Sequence, residues 1–422
     1  MNSGFASDVV ISLVPREPSY LLSFRRSFDG QSCDLALRRP QERARTLKER
    51  LPILLDPLRK HIGKTRMTLD EAQITRAFIL LDRLGYGILD VLLEDSGGRA
   101  GEVMPRLAEF LLPVFRRDES VLKGSTPVLE VEAAIADQLA WLLPLEFLPL
   151  APEPSPPVSP RDQLERFLGF RAQIVRFLHG GPEEIDTDAR GRVPVHVFAY
   201  ADKQTPPGIR RQVSFLGLEA AVASTWPGSS YVADVSDGLS QLAQKLISLP
   251  PMSRQGAVPC IAHFSCHFYV LGPDVDGSYS PTSEFDFGCC ADGKPLTLGV
   301  FELRGELERQ YARGARAGFK ALFFLNACET AAAGGDGLLA YLQSRNATAI
   351  VGSETLLPDQ LAAEFAISFY TALLRNEPLS KAIFTARRNL IERFSNPAGL
   401  FYTFFGNPML RVARPLSVAE RI

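Results

Sequence analysis

The chain has 422 residues, of which 46% are hydrophobic and 22% are charged, so its composition excludes a disordered protein and allows one large core or two ordinary ones. Its 46 lysines and arginines nearly balance its 48 aspartates and glutamates, and the net charge of −2 excludes a global attraction to nucleic acid or to an anionic membrane surface. No segment reaches the roughly 18 apolar residues of a membrane span, and the N-terminus lacks the layout of a secretion signal, so we expect a cytoplasmic protein.

The first 150 residues mix strand and helix patterns, and helices dominate the middle of this part. The predicted elements are strands at 9–13 and 20–24, helices at 41–60 and 71–93, and a strand at 128–131. The clearest helix signal is the one over 71–93, where Ile74, Phe78, Leu81 and Leu84 line one face. We therefore predict a mixed α/β, helix-rich N-terminal part over residues 1–150.

A proline-rich segment, APEPSPPVSP, follows at 151–160. Prolines at this density exclude a helix or an inner strand, because proline lacks the backbone N–H that both need. We therefore predict a connector at 151–160 between the N-terminal part and a second domain over 161–422.

Beyond the connector, apolar strand patterns alternate with amphipathic helix patterns. The predicted order is strand 193–200, helix 217–224, strand 231–235, helix 239–249, strand 259–265, helix 300–313, strand 321–325, helix 337–345, strand 347–352 and helix 360–375. This alternation is typical of a mostly parallel sheet with helices on both faces. In such sheets the functional residues gather at the carboxyl ends of the strands.

Two of these strands lead into residues with nucleophilic or basic side chains. Cys328 follows the run 321–325 in a small polar turn, and His267 ends the run that begins at Cys260. A thiol attacks a carbonyl as thiolate, and an imidazole is the usual acceptor and later donor of its proton. Neighbouring parallel strands that end level would therefore make His267 and Cys328 a catalytic pair. The alternative is that both are ordinary residues at strand ends, since cysteine is among the most buried residue types.

The other polar residues near these strands have simpler interpretations. Alternation puts His263 on the same strand face as His267, which predicts a packed or hydrogen-bonded histidine rather than a second base. Asp359 follows a proline and precedes an apolar helical run, so it is a candidate helix N-cap. The six cysteines are too sparse for a disulfide scaffold, and no cysteine and histidine spacing fits a common zinc site. The glycines at 334–337 lack the pattern of a phosphate-binding loop. We therefore expect no metal and no cofactor.

Several short motifs occur in an order and spacing that match a known family. They are HFSCH at 263–267, FFLNACETA at 323–331, AIVGS at 349–353 with Asp359, FY at 369–370, AR at 386–387 and GNP at 406–408. Together they resemble the CHAT domain, which belongs to the caspase–separase clan of cysteine peptidases. The resemblance covers residues 160–422 and extends more weakly upstream, through the segments 141–146 and 167–170.

The resemblance implies a caspase-like sheet in which His267 is the base and Cys328 the nucleophile, without an obligatory third residue. It also implies an oxyanion hole formed by the main-chain N–H groups of Cys328 and of the residue after the histidine, here Phe268. The family usually carries glycine at that position, and a β-carbon restricts the backbone more than glycine does. Many relatives also carry a tryptophan where this chain has Thr355.

The substrate pocket is predicted from the same loops. Its candidate residues are Asn326, Glu329, Glu354 and Asp359. The acidic members suit a basic substrate side chain, whereas an aspartate-selective pocket needs a cation, for which Arg345 and Arg387 are equal candidates. The sequence leaves the preferred residue before the scissile bond, P1, open.

The resemblance implies a caspase-like cysteine endopeptidase that cleaves a specific protein partner in a bacterial antiviral defence or programmed-death circuit. The expected substrate is a gasdermin-like or signalling protein. Many relatives receive their trigger through an attached repeat domain, and no internal repeat is visible here, so we expect an activating subunit, a ligand or self-processing. The alternative is a catalytically silent CHAT-fold module that binds peptides or partner subunits.

Overall fold

The computed structural model describes most of the chain. The described residues are 7–16, 19–65, 67–94, 96–121, 126–132, 143–150, 159–176, 184–188, 190–202, 205–227, 231–249, 252–253, 256–257, 260–270, 283–313, 318–328, 330–331 and 338–413. Residues 151–158 of the predicted connector and the pocket candidate Glu329 lie outside these ranges.

Strands and helices are numbered separately in chain order. The strands are β1 (Val9–Arg16), β2 (Ser19–Arg26), β3 (Ser32–Leu37), β4 (Val128–Val131), β5 (Gln173–Arg176), β6 (Glu184–Ile185), β7 (Pro194–Ala199), β8 (Ala221–Trp226), β9 (Met252–Ser253), β10 (Gly256–Ala257), β11 (Cys260–Ser265), β12 (His267–Val270), β13 (Ser283–Cys289), β14 (Pro295–Gly299), β15 (Ala321–Leu325), β16 (Ala349–Ser353), β17 (Tyr402–Gly406) and β18 (Arg411–Val412). The α-helices are α1 (Pro40–Lys64), α2 (Glu71–Leu93), α3 (Ala100–Val121), α4 (Pro160–Leu164), α5 (Leu168–Arg171), α6 (Pro207–Glu219), α7 (Val235–Ile247), α8 (Val300–Ala312), α9 (Leu338–Ser344), α10 (Asp359–Leu374) and α11 (Leu379–Phe394). Short 3₁₀ helices lie at Leu145–Phe147 and Pro397–Phe401. Within the described ranges, no helix combines the length and apolarity that a membrane crossing requires.

The chain separates into two compact units, and each is built from two stretches of sequence. The first unit comprises 1–179 and 380–409, and the second comprises 180–379 and 410–422. The predicted connector at 151–160 falls within the first unit, and its role as a domain boundary stays a prediction.

The first unit contains a five-stranded mixed sheet and the helices predicted for it. The strand order is β3-β2-β1-β4-β5, with antiparallel pairing among β1, β2 and β3 and parallel pairing of β4 with β1 and β5. Helix α2 begins at a capping box in which Asp70 accepts from the backbone of Gln73 and the Gln73 side chain accepts from the backbone of Asp70. The prediction of a mixed α/β, helix-rich N-terminal part is confirmed.

A buried ionic cluster lies in the core of the first unit. Glu146 is fully buried and accepts hydrogen bonds from Arg176 at 2.8 Å through each carboxylate oxygen, and from Arg387 at 3.0 Å. Burial opposes the charged form of Glu146, but its two arginine partners outweigh burial and lower its pKa. Arg387, proposed above as a cation for an acidic substrate side chain, is therefore engaged in this core.

The second unit contains the mostly parallel sheet that the sequence predicts. Strands of this unit lie in the order β8-β7-β11-β15-β16, and each neighbouring pair is parallel. All six residues of β11 and all five of β15 and of β16 are buried, as expected for strands covered on both faces. The chain adds β8 on one side of β7 and then β11, β15 and β16 on the other, so the order of the strands reverses between β7 and β11. In folds of this type, ligands bind outside the carboxyl ends of the strands at such a reversal.

Helices cover both faces of this sheet, which confirms the prediction. On one face His263 of β11 contacts Tyr370 of α10, and Phe324 of β15 contacts Phe369 of the same helix. On the other face Phe264 lies in a pocket with apolar side chains of α7, α8 and α9. Successive residues of one strand thus point to helices on opposite sides.

A second, antiparallel sheet of order β12-β13-β14 follows directly from β11. The sequence patterns did not predict these three strands, nor β3, α3 or α11.

Two predicted elements are wrong. The segment predicted as a helix over 217–224 contains the end of α6 and the start of β8, because the helix begins earlier, with Pro207 in its first turn. The segment predicted as a strand over 231–235 leads into α7, whose N-cap Asp234 accepts a hydrogen bond from the backbone of Asp237.

Candidate active site

The candidate site lies where β11 and β15 end side by side. The two strands are parallel neighbours with Phe264 opposite Leu325, and the backbone N–H of Asn326 donates to the carbonyl of Phe264 at 2.9 Å. The chain after β11 reaches His267, and the chain after β15 reaches Cys328. The level strand ends bring these two segments together.

A narrow cleft of about 50 Å³ lies between these strand ends and two helices. Its lining residues are Ile209, Gln212, Ser265, Cys266, His267, Asn326, Ala327, Cys328, Ser353, Leu357, Asp359 and Ala362. The side chains of His267 and Cys328 are both partly exposed, and neither is sealed in the core. The structure therefore places both predicted catalytic residues on one solvent-accessible cleft.

The turn that carries Cys328 is held by a buried hydroxyl. Thr330 is fully buried, and its Oγ1 lies 3.2 Å from the carbonyl oxygen of Leu325 and 3.1 Å from that of Ala327. The same oxygen accepts from the backbone N–H of Ser353 at 3.2 Å, and the N–H of Ala331 donates to the carbonyl of Ser353 at 2.8 Å. The turn is thereby attached to both β15 and β16.

His267 is the first residue of β12, and two tyrosine rings lie beside its imidazole. Its ring centroid lies 5.1 Å from that of Tyr200 in an edge-on arrangement and 6.3 Å from that of Tyr269 in a stacked one. Tyr269 stands two residues later on the same strand face and is 43% exposed. The imidazole is therefore restricted laterally, with one side open to the cleft.

Phe268 points away from the cleft. Its ring is fully buried and contacts Phe285 of β13 at a centroid distance of 4.8 Å. Its residue lies in extended strand geometry with a negative φ, a conformation that a β-carbon permits without strain. The phenylalanine that replaces the family's usual glycine thus fills the core behind the strand rather than the cleft.

The opposite wall of the cleft is formed where two helices begin. The sequence predicts Asp359 as the N-cap of its own helix, but Pro358 occupies that position and makes no side-chain cap. The Asp359 carboxylate instead accepts from the backbone N–H of Gly208 at 2.9 Å, in the first turn of α6. A β-carbon at Gly208 would lie 2.3 Å from the carbonyl oxygen of Asp359, so this approach requires glycine.

Two amide side chains form the floor of the cleft. Asn326 is buried, and its Nδ2 donates to Oε1 of Gln212 at 2.6 Å and to the carbonyl of Ala362 at 3.2 Å. Asn326 and Asp359 are thus two predicted pocket residues that the structure brings to the cleft. Gln212 arrives from α6, and no sequence motif indicated it.

Two of the other predicted pocket residues, Glu354 and Arg345, do not line this cleft. Glu354 is buried and absent from its lining, while its neighbour Ser353 faces the cleft and accepts a 3.3 Å hydrogen bond from the backbone of Thr355. Arg345 pairs with Glu308 on α8. Within the described part of the chain, the cleft lining includes the carboxylate of Asp359 and no lysine or arginine.

Burial shifts the pKa of the other histidine and of two other cysteines near the site. His263 is fully buried, accepts or donates a 3.0 Å hydrogen bond with the hydroxyl of Tyr370, and has its pKa lowered to about 3 by burial. It is a buried, hydrogen-bonded strand histidine, as predicted. Burial, with the nearby charges of Asp286 and Cys328, raises the pKa of the Cys266 thiol well above its usual value, and burial raises that of Cys260 to about 12. Neither thiol ionises near neutral pH, so neither is a ready nucleophile.

One protein-family model matches part of this chain. Residues 233–400 match the family model of the CHAT domain, which confirms the resemblance for that range. The comparison with curated proteins found no match.

Solved structures that are similar to this chain include a gingipain and a separase. Gingipain R, an Arg-specific cysteine proteinase of Porphyromonas gingivalis, aligns with a TM-score of 0.41 at 10% identity over 74% of this chain and 68% of its own. Separase of Saccharomyces cerevisiae, in its complex with securin, aligns with a TM-score of 0.43 at 11% identity over 96% of this chain and 30% of its own.

Proposed function

Because residues 233–400 match the family model of the CHAT domain, we propose that the chain is a caspase-like cysteine endopeptidase in which Cys328 is the nucleophile and His267 the base. The observation that carries the proposal is the single cleft lined by both side chains at the ends of adjacent parallel strands. The other cleft thiol, Cys266, is buried and has a strongly raised pKa, so Cys328 is the better nucleophile in this cleft.

The proposed reaction uses groups of the cleft in sequence. His267 takes the proton of the Cys328 thiol, and the thiolate attacks the carbonyl carbon of the scissile peptide bond. Main-chain N–H groups of Cys328 and Phe268 stabilise the oxyanion. The imidazolium then returns its proton to the leaving amine, and water, deprotonated by the same imidazole, hydrolyses the thioester.

The packing of Phe268 supports this use of its main chain. The ring contacts Phe285 on the core side, so only backbone atoms of this residue can face the cleft. A catalytically silent module would follow if the side chain blocked the oxyanion hole, and the ring does not occupy that side. The geometry therefore favours the enzyme over the silent partner-binding module.

We further propose a neutral polar or basic substrate side chain in the cleft. The described lining offers the Asp359 carboxylate, two amides, the hydroxyls of Ser265 and Ser353 and the His267 imidazole, and no lysine or arginine that would compensate an acidic substrate group. Peptides with Gln, Lys or Arg at the residue before the scissile bond should therefore be cleaved at least about tenfold faster than the matched Asp peptide, since one unpaired buried charge exceeds the roughly 1.4 kcal/mol of a tenfold difference.

The test is cleavage and labelling with matched variants. Cys328→Ala should abolish cleavage of the cognate protein, whereas Cys290→Ala, which removes a buried thiol outside the cleft, should retain it. Iodoacetamide should label Cys328 near neutral pH, and His267→Ala should suppress that labelling. Retained cleavage in Cys328→Ala would refute the proposal, and labelling that is indifferent to His267 would favour the silent module.

We propose that the substrate is a specific protein of a bacterial defence or programmed-death circuit in the cytoplasm, such as a gasdermin-like pore former or a signalling protein, and that a separate subunit or ligand triggers cleavage. The measurement is identification of new protein N-termini in cells expressing the wild-type chain, against the Cys328→Ala variant as control. Neo-N-termini present in both strains would contradict it.

A further inference from the structure

We propose that Ser265 determines substrate specificity by accepting a hydrogen bond from the ammonium group of a lysine at P1. The inference rests on the proposed function, because it assigns a role to the floor of the proposed active-site cleft. Ser265 is fully buried and lines that cleft, and its Oγ has no hydrogen-bond partner among the described residues. Buried hydroxyl groups are nearly always hydrogen-bonded, because an unpaired one costs free energy. An unpaired hydroxyl that lines a cleft therefore points to a group that the ligand supplies.

Ser265 lies on the floor of the cleft, below the two proposed catalytic residues. Ser265 and Asn326 each follow the last residue of the paired register of β11 and β15, so they are level with one another. His267 and Cys328 each stand two residues further along the chain. Two residues of an extended chain span at most about 7 Å. A substrate side chain that enters beside His267 and Cys328 therefore reaches the floor within about 7 Å.

The neighbouring polar groups of the floor do not donate to Ser265. Both N–H bonds of the Asn326 side chain are engaged, one with Oε1 of Gln212 at 2.6 Å and one with the carbonyl of Ala362 at 3.2 Å. The carboxylate of Asp359 also lines the cleft, and the described lining includes no lysine or arginine. The donor for the Ser265 hydroxyl is therefore a substrate group, and the carboxylate favours a positively charged one.

Lysine is the cationic side chain that best fits the walls of this cleft. Apolar side chains of Ile209, Leu357 and Ala362 line it, and they suit the four-carbon stem of lysine. The cleft measures only about 50 Å³, which suits a compact ammonium better than a planar guanidinium with five donors. The expected hydrogen bonds run from the lysine Nζ to Oγ of Ser265 and to the carboxylate of Asp359.

The experiment compares two peptides that differ only at P1, which is lysine in one and norleucine in the other. Norleucine has the same carbon stem but lacks the ammonium group, so the ratio of the two kcat/KM values measures what that group contributes. Ser265→Ala should lower the lysine-to-norleucine ratio at least about tenfold, because a hydrogen bond to a charged group is lost. The hydroxyl has no partner among the described residues, so its removal should leave the fold intact.

The matched control is Ser353→Ala, because Ser353 lines the same cleft but its hydroxyl is already engaged. Its Oγ donates to the carbonyl of Thr355 at 2.6 Å and accepts from the N–H of Thr355 at 3.3 Å. Loss of this hydroxyl should change the rates for both peptides together, and the ratio by less than about threefold. A general disturbance of the cleft would lower both rates alike, whereas a lost contact with the ammonium group lowers the ratio.

Binding of the same peptides to the Cys328→Ala variant is a second measurement, which needs no catalysis. Fluorescence anisotropy with labelled forms of the two peptides should show tighter binding of the lysine peptide. Adding Ser265→Ala to this variant should reduce the affinity difference at least about tenfold, since the same hydrogen bond is lost.

The outcomes separate this inference from the proposed function. An unchanged ratio in Ser265→Ala, with wild-type cleavage that His267→Ala abolishes, overturns the role of Ser265 and leaves the catalytic pair standing. Faster wild-type cleavage of the norleucine peptide, or of a matched arginine peptide, overturns the choice of lysine. If neither peptide is cleaved, equal binding of both to Cys328→Ala overturns the inference, and a preference for lysine that Ser265→Ala removes supports it. Cleavage that survives in Cys328→Ala refutes the proposed function instead.

Discussion

Replacing Thr330 with valine should loosen the turn that carries Cys328 without unfolding the protein. Valine matches the shape of threonine but lacks the hydroxyl that contacts the carbonyls of Leu325 and Ala327 and accepts from the N–H of Ser353. The change therefore detaches the turn from both β15 and β16 while keeping the apolar volume.

The magnitude follows from these contacts. The substitution leaves the N–H of Ser353 without its acceptor in a fully buried site, which costs about 1–3 kcal/mol. It also removes the hydrogen bond that the hydroxyl shares between the carbonyls of Leu325 and Ala327, which costs about 1 kcal/mol more. The free energy of unfolding should fall by about 2–4 kcal/mol, less than the 5–15 kcal/mol typical of a folded domain. Cleavage should fall by about 10–100-fold, because a displacement near 1 Å of a reacting atom has that effect.

The assay is urea-induced unfolding followed by tryptophan fluorescence, together with alkylation of Cys328. In a Trp141→Phe background the signal comes from Trp226, which is fully buried in the second unit. The matched control is Thr348→Val, because the buried Thr348 hydroxyl has no hydrogen-bond partner among the described residues and its loss should be neutral. Equal destabilisation of both variants, or none in Thr330→Val, would refute the reasoning.

Three further changes test the remaining structural claims. Glu146→Gln should cost about 3–5 kcal/mol in urea denaturation, because it leaves two buried arginines without their carboxylate, and a loss below about 1 kcal/mol would contradict the ionic cluster. Gly208→Ala places a methyl group 2.3 Å from the carbonyl oxygen of Asp359 and should lower the free energy of unfolding by about 1–3 kcal/mol. The control is Gly217→Ala, also on α6, whose methyl group meets nothing within 4 Å and which should be neutral or stabilising in thermal melts. Burial lowers the pKa of His263 from 6.5 to about 3, so between these pH values the unfolded chain binds a proton that the folded chain does not. The free energy of unfolding should therefore fall with decreasing pH across that window by about 1.4 kcal/mol per pH unit. The double variant His263→Phe/Tyr370→Phe should reduce this dependence when denaturation is compared at pH 4 and pH 7.

Local sequence patterns predicted the helices and strands whose apolar residues are regularly spaced. Helix α2 and strands β4 and β15 begin and end where the sequence places them, since their apolar spacing is regular and their ends are marked. Helix α6 was misplaced because its apolar residues continue into a strand without a break in hydrophobicity. The strands of the second sheet were not predicted, although they are consecutive along the chain and pair with one another.

The candidate site was predictable only in part. The motifs around His267 and Cys328 indicated the ends of two strands, and the parallel pairing of those strands makes the cleft. The helix-capping role of Asp359 was misassigned, because its partner Gly208 lies 151 residues away along the chain.

By itself the sequence determined the alternation of strands and helices and the order of the motifs that resemble the CHAT domain, because periodicity and motif spacing are properties of the chain alone. Only the tertiary structure decided which side chains share the cleft, that Phe268 faces the core, and which arginines neutralise Glu146. Hydrophobic periodicity reports that one face of an element is buried, but it does not report the partner that covers that face.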